Sequence, residues 1–146
     1  MHHDALTPWI ETAPFEVRYA ETDAMGVVYY ANYLVWFEAA RGTFCRAYDI
    51  DYVALEKDGT PAAVVEAYCR YRAPARYGDR IITRVRLTEL KGSSMRFEYE
   101  ILNADTRQLL AEGWTRHVWI NRAGKPTRCP EVIRQRVAQT NAARSD

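Results

Sequence analysis

Residues 31–48 read Ala31-Asn32-Tyr33-Leu34-Val35-Trp36-Phe37-Glu38-Ala39-Ala40-Arg41-Gly42-Thr43-Phe44-Cys45-Arg46-Ala47-Tyr48. Apolar side chains recur at Tyr33, Phe37, Ala40, Phe44 and Tyr48, and Leu34, Trp36 and Cys45 widen the stripe. That spacing predicts an amphipathic helix of about five turns, with Asn32 as its N-terminal cap. A helix with so wide an apolar stripe must be covered, and the rest of the chain supplies the cover.

Upstream, Phe15-Glu16-Val17-Arg18-Tyr19 alternates apolar and polar residues and reads as a half-buried strand, while residues 1–13 read as a loosely held lead-in. Downstream, Asp51 to Lys57 reads as a short helix ended by Asp58-Gly59-Thr60-Pro61. Strand patterns follow at 63–71, 80–90, 95–102 and 109–121, the third with Phe97, Tyr99 and Ile101 on one face. Lys91-Gly92-Ser93-Ser94 and 103–108 are the turns between them, and Pro130 opens a terminal helix. The order strand, long helix, antiparallel strands predicts an α+β fold, with the helix against a curled antiparallel sheet of about five strands.

The chain has 146 residues, a length that suits one domain, with its core expected from about residue 14 to about residue 132. A net charge of +1 gives no field that would draw nucleic acid, and no apolar run reaches the ~20 residues of a membrane span. Met1-His2-His3-Asp4-Ala5 lacks the layout of a signal peptide. Cys45, Cys69 and Cys129 form no zinc or disulfide pattern, so a cytoplasmic protein with reduced thiols is expected. There is no Gly-x-Ser-x-Gly elbow and no phosphate-binding glycine motif.

The chemistry concentrates just before the long helix, in Glu21-Thr22-Asp23-Ala24-Met25-Gly26-Val27-Val28-Tyr29-Tyr30. Asp23 stands on a turn, and the first N–H groups of the helix have no intrahelical partners. Such N–H groups polarise a carbonyl, and a carboxylate beside them can attack that carbonyl or activate a water against it. Loop, carboxylate and helix N-terminus together read as an acyl-transfer site. Taken alone, Asp23 before Gly26 also suits a turn aspartate that bonds its own backbone.

Thr22-Asp23-Ala24, Gly26-Val27-Val28-Tyr29, Asn32-Tyr33, Phe37-Glu38-Ala39-Ala40-Arg41 and Pro74-Ala75-Arg76-Tyr77-Gly78-Asp79 carry a resemblance to a known family. The chain resembles the hotdog-fold acyl-CoA thioesterases, in the branch of 4-hydroxybenzoyl-CoA thioesterase and the YbgC-type enzymes, from about Phe15 to about Val132. The resemblance implies the hotdog fold and a homodimer or homotetramer with a joined sheet. It implies hydrolysis of a small, medium or aromatic acyl-CoA, with acyl carrier protein as an alternative donor, and no metal or cofactor beyond the coenzyme A of the substrate. Asp23 matches the nucleophile or general base. Tyr30 matches the position whose backbone N–H polarises the thioester carbonyl; it agrees with the 4-hydroxybenzoyl branch and departs from the histidine usual in the YbgC-type enzymes.

Met25, where the family has a small residue, Gly26 and Val27 are expected at the acyl group, and Lys91, Ser93, Ser94 and Arg128 at the nucleotide, from a neighbouring subunit. Glu38 is the fallback base, with an ion pair to Arg41 as its structural reading. His117 reads as a lone strand histidine at the surface or core edge, and Cys45 as a small core residue. Two alternatives remain: a non-catalytic protein that holds acyl-CoA or acyl carrier protein, and a pathway-specific acyl carrier protein thioesterase that releases a biosynthetic product.

Overall fold

The computed structural model describes residues 5–145; residues 1–4, in the expected lead-in, lie outside the described residues. The elements in chain order are β1 (Ile10–Glu11), β2 (Phe15–Glu16), α1 (Asn32–Ala47), α2 (Tyr52–Lys57), β3 (Ala62–Tyr71), β4 (Arg80–Lys91), β5 (Ser94–Asn103), β6 (Leu109–Trp119) and α3 (Glu131–Ser145). The strands form one antiparallel sheet in the order β1-β4-β5-β6-β3, with β2 also paired to β4. A long helix wrapped by a curled antiparallel sheet is the hotdog fold expected from the sequence, with six strands in place of about five.

The helix lies on the sheet as its periodicity requires. Tyr33, Trp36, Phe37, Ala40, Phe44 and Cys45 are buried, and so is Tyr48 just beyond the helix. Phe37 stacks on Tyr99 of β5 with centroids 4.3 Å apart, and Phe44 meets Phe97 edge-on at 5.1 Å. Alternation on β5 turns Phe97, Tyr99 and Ile101 to this face, as the sequence predicts. Close approach depends on Gly113 of β6. A Cβ there would stand 2.0 Å from the Tyr68 carbonyl oxygen and 3.0 Å from the Phe37 ring.

Several expectations are corrected. The lead-in is not loose in its described part. Thr7 and Ile10 are buried, the Leu6 N–H donates to the Leu87 carbonyl at 2.8 Å, and β1 covers one edge of β4. The strand expected at 15–19 stops at Glu16, and a 3-10 turn at Tyr19–Glu21 follows. Asn32 does not cap α1; its side-chain amide donates to the Glu21 carbonyl at 2.9 Å, tying the helix start to the preceding loop. Asp51 does cap α2, accepting the Ala54 N–H. Ile133 and Val137 of α3 join the core cluster, so buried packing continues past residue 132.

The far edge of the sheet is different. Among the described residues β3 pairs only with β6, and Val64, Val65, Tyr68 and Tyr71 are exposed along it. Unpaired strand backbone with apolar side chains is a template for another strand.

Gly113→Ala is expected to lower stability by about 3 kcal/mol, the upper end of over-packing costs, because backbone rather than a flexible side chain blocks the new methyl. Urea unfolding measures it; an unchanged midpoint would show that β3 and β6 separate freely.

Candidate active site

The loop from Glu21 to Tyr30 is held at both ends by hydrogen bonds that converge on Glu21. The buried Glu21 carboxylate accepts the Arg18 N–H at 2.8 Å and the Trp36 indole N–H at 3.1 Å. The Glu21 carbonyl accepts the Tyr29 N–H at 2.8 Å and the Asn32 amide. Across the loop, the Val28 N–H donates to the Ala75 carbonyl at 2.9 Å, and the Ala75 N–H donates to the Tyr33 hydroxyl at 3.2 Å. The Pro74–Asp79 segment therefore supports the loop that carries Asp23.

Within this frame Asp23 makes a tight turn. Its Oδ1 accepts the Met25 N–H at 2.8 Å and the Val27 N–H at 3.4 Å, and Gly26 takes φ +80°. Only glycine adopts that backbone without strain. The turn reading of Asp23 thus describes one of its oxygens. Oδ2 has no partner among the described residues. Asp23 lines a pocket of about 320 Å³ with Val27, Val28, Tyr30, Tyr33 and Tyr71, and Arg72 to Pro74 close it.

The helix start opens onto the same pocket. The N–H groups of Tyr29, Asn32, Tyr33 and Leu34 all donate to backbone carbonyls, whereas those of Tyr30 and Ala31 have no acceptor among the described residues. The Tyr30 side chain is 62% exposed. The Tyr30 carbonyl accepts the Tyr71 hydroxyl at 2.9 Å, which fixes the peptide that follows. Burial pushes the Tyr71 hydroxyl up to about 12, so it stays a protonated donor. Asp23, with a carboxylate oxygen that has no partner among the described residues, and Tyr30, with an N–H that has no acceptor among them, thus line one cavity. That pair suits addition to a carbonyl, with the carboxylate as attacking group or base and the N–H facing the developing oxyanion.

The other expected residues fall elsewhere. Met25 is 82% exposed at the loop tip, and neither it nor Gly26 walls the pocket; Val27 does. Lys91, Ser93, Ser94 and Arg128 do cluster, because the Cys129 N–H donates to the Gly92 carbonyl at 2.9 Å. They sit at the Ala62 end of β3, where the Trp119 N–H donates to the Ser93 carbonyl, whereas Asp23 sits at the Tyr71 end. The two groups are separated by roughly 30 Å of strand. Ser94 is also engaged, donating to Glu89 and accepting from Arg116. No group of three or more His, Cys, Asp or Glu among the described residues is arranged to hold a metal ion.

Glu38 and Arg41 make no ion pair. Arg41 instead donates to the Tyr99 hydroxyl at 3.1 Å, Tyr99 meets Thr115, and Thr115 meets His117 Nε2 at 2.9 Å. His117 is not at a surface or core edge: it is 2% exposed, on the helix side of β6. Burial, with Arg41 nearby, pulls its pKa down from 6.5 to about 4. Glu21, Tyr71 and this buried chain are the residues that sequence reading passed over. Strand alternation, which places Thr115 and His117 on one face, was the available signal for the last.

Comparison with known proteins places these features in context. The sequence profile of the Thioesterase-like superfamily matches residues 17–137. YneP of Bacillus subtilis is 39% identical over 88 residues, which span 60% of this chain and 64% of that protein, slightly under two thirds of its length. The acyl-CoA thioester hydrolase YbgC of Escherichia coli is 34% identical over 96 residues, 66% of this chain and 72% of its own. A crystal structure of a 1,4-dihydroxy-2-naphthoyl-CoA thioesterase from Synechocystis superposes with a TM-score of 0.82 at 25% identity, covering 90% of this chain and 96% of the other.

Because His117 is harder to protonate in the folded chain than in the unfolded one, the folded state binds fewer protons between pH 6.5 and 4. Stability from this group is therefore complete above pH 6.5 and falls as the pH drops towards 4, by about 3 kcal/mol. Denaturant midpoints across that range should slope less in His117→Gln than in the parent; equal slopes would assign the pH dependence to carboxylates alone.

Proposed function

Because the chain belongs to the thioesterase-like superfamily, we propose that it hydrolyses the thioester of an acyl-CoA. The observation that carries this reading is the shared pocket of Asp23 and Tyr30, with one free carboxylate oxygen and one free backbone N–H. The thioester carbonyl binds with its oxygen towards the Tyr30 N–H. Asp23 Oδ2 then adds to the carbonyl carbon, or removes a proton from a water that does so. The tetrahedral oxyanion gains charge where the N–H stands, and its collapse breaks the C–S bond and expels the coenzyme A thiolate, leaving the free acid on the water route or, on the nucleophilic route, an Asp23 acyl anhydride that a water then hydrolyses. The relatives named above as acyl-CoA thioesterases support the substrate class. A small, medium or aromatic acyl group on coenzyme A is the preferred donor, acyl carrier protein the alternative, and no cofactor takes part. The reaction is assigned to the cytoplasm; no helix among the described residues is long and apolar enough to cross a membrane.

The site is shared between copies of the chain. Within one protomer the Lys91, Ser93, Ser94 and Arg128 cluster is at the opposite end of β3 from Asp23. Antiparallel pairing of two β3 edges about a two-fold axis would bring that cluster of one copy towards Asp23 of the other. The homodimer, or a homotetramer built from it, would thus hold the nucleotide with one subunit and cleave with its partner.

Asp23→Asn keeps the turn and removes the basic oxygen. Its turnover of acyl-CoA, followed by thiol release, is expected to fall about a hundred- to ten-thousandfold. A folded Asp23→Asn protein with near-parental turnover would shift the role of base to Glu38, and a parent that binds acyl-CoA without turnover would establish the holding protein instead. Sedimentation at micromolar concentration should give at least twice the 16.9 kDa of one chain. An active monomer would overturn the shared site.

A further inference from the structure

The Tyr30 N–H can polarise a carbonyl well only if Tyr30 is held still, and its own side chain does not hold it. The ring is largely exposed and touches the Tyr29 ring, which is exposed as well. The peptide on the N-terminal side of Tyr30 is fixed locally. The Tyr29 N–H donates to the Glu21 carbonyl at 2.8 Å, and the Tyr29 carbonyl accepts the Asn32 N–H at 2.9 Å. The peptide on the C-terminal side has weaker local support, because the Tyr30 carbonyl accepts the Tyr33 N–H at 3.4 Å, long for a backbone bond. The closer donor comes from β3, 41 residues along the chain: the Tyr71 hydroxyl, at 2.9 Å.

Rigid surroundings place that hydroxyl. Tyr71 is the last residue of β3, opposite the buried Ala111 of β6. Just beyond it the N–H groups of Arg72 and Ala73 both donate to the Leu110 carbonyl, at 2.8 and 3.1 Å. The Tyr71 ring meets the buried Tyr33 ring edge-on at 5.0 Å, and the Tyr33 hydroxyl accepts the Ala75 N–H.

The hydroxyl has a single hydrogen, and the Tyr30 carbonyl takes it. Cys69, which also reaches this hydroxyl, is a weak acceptor and serves as a donor to its oxygen. Tyr71 thus walls the pocket beside Asp23 and Tyr30 without a hydrogen to offer a substrate oxygen. What it does for the reaction it does through Tyr30. With the carbonyls on both sides of Tyr30 held, the backbone there cannot rotate, and its N–H keeps one direction.

We propose that Tyr71 is a positioning residue for thioester cleavage: its hydroxyl, by holding the Tyr30 carbonyl from the end of β3, keeps the Tyr30 N–H aimed at the carbonyl oxygen of the acyl group. The proposal rests on the acyl-CoA hydrolase reading for the identity of the substrate. It ties the rate of the reaction to the end of β3 as well as to the Asp23 loop.

Tyr71→Phe removes the hydroxyl and keeps the ring on Tyr33. The substrate is whichever of acetyl-, hexanoyl- and benzoyl-CoA the parent binds most tightly. In a variant that circular dichroism shows to be folded, kcat is expected to fall about ten- to hundredfold with KM within about twofold of the parent. A merely structural role would loosen the pocket and move KM instead. A second reading follows the substrate carbonyl itself. The same acyl-CoA, labelled with carbon-13 at the carbonyl, is bound to the Asp23→Asn protein, and its carbonyl stretch is read by infrared difference spectroscopy. The band is expected below its position in water, and most of that displacement should vanish when Tyr71→Phe is added. A 3-fluorotyrosine at position 71, a stronger donor of nearly the same size, should move the band lower still, and it serves if the phenylalanine variant does not fold. Parental kcat in Tyr71→Phe, a change confined to KM, or a carbonyl band indifferent to the residue at position 71 overturns the proposal. A parent whose bound carbonyl responds to position 71 but that releases no thiol defeats the hydrolase reading alone.

Discussion

Packing of the α1 aromatic stripe on the concave sheet face is the constraint from which the other features follow. Phe37 lies flat on Tyr99 only because Gly113 presents no side chain between β3, β6 and the helix. Close packing of this kind supplies most of the burial in a domain of this size, and it fixes the axial position of the helix. Once α1 is set, its N-terminus has one place to be, above the Pro74–Asp79 segment. Its middle likewise has one place to be, above Thr115 and His117. The candidate site and the buried chain from Arg41 to His117 are both consequences of where one helix sits.

Polar groups near the helix divide into two kinds. Around Glu21 every buried group is satisfied, by Arg18, Trp36, Tyr29 and Asn32 in turn. That closed network holds the Asp23 loop rigidly, as pre-organised chemistry requires. Among the residues lining the pocket the pattern reverses, and one carboxylate oxygen of Asp23 and the N–H of Tyr30 are left without partners among the described residues. Open hydrogen-bonding capacity beside a fully satisfied network is what the proposed acyl-transfer reading of this pocket requires.

The outer face of the sheet is organised differently again. Arg84 with Glu100 and Arg86 with Glu98 form ion pairs between β4 and β5, Arg96 reaches Glu98 along β5, and Arg72, just past β3, pairs with Glu112 of β6. Trp9 lies beneath the Arg84 and Arg86 guanidinium groups, and Trp114 beneath Arg96. Partly exposed pairs of this type are worth little singly, up to about 1 kcal/mol each. Their effect is to set strand register and to occupy arginines that composition alone would offer to phosphates. Lys91 and Arg128, beside the β4–β5 turn, belong to no such pair.

The periodicities that the chain carries locally determined α1, the run of long strands, the short helix near Asp51 and the placement of Asp23 before a helix. Period and side-chain alternation follow from backbone geometry, so a sequence displays them without reference to distant residues. What depended on distant residues was decided only by the tertiary structure. Asn32 looked like a cap until the Glu21 carbonyl came within its reach. Arg41 looked like a partner for Glu38 until Tyr99, 58 residues away in sequence, stood nearer. The lead-in looked loose because β1 is too short to show alternation; pairing with β4 makes it a strand. Which of the first N–H groups at the helix start stay open, and that Lys91 to Ser94 lie a full strand length from Asp23, are likewise properties of approach in space. Local pattern fixes which element a residue enters, but hydrogen-bond partners are chosen among whatever the fold brings within about 3 Å.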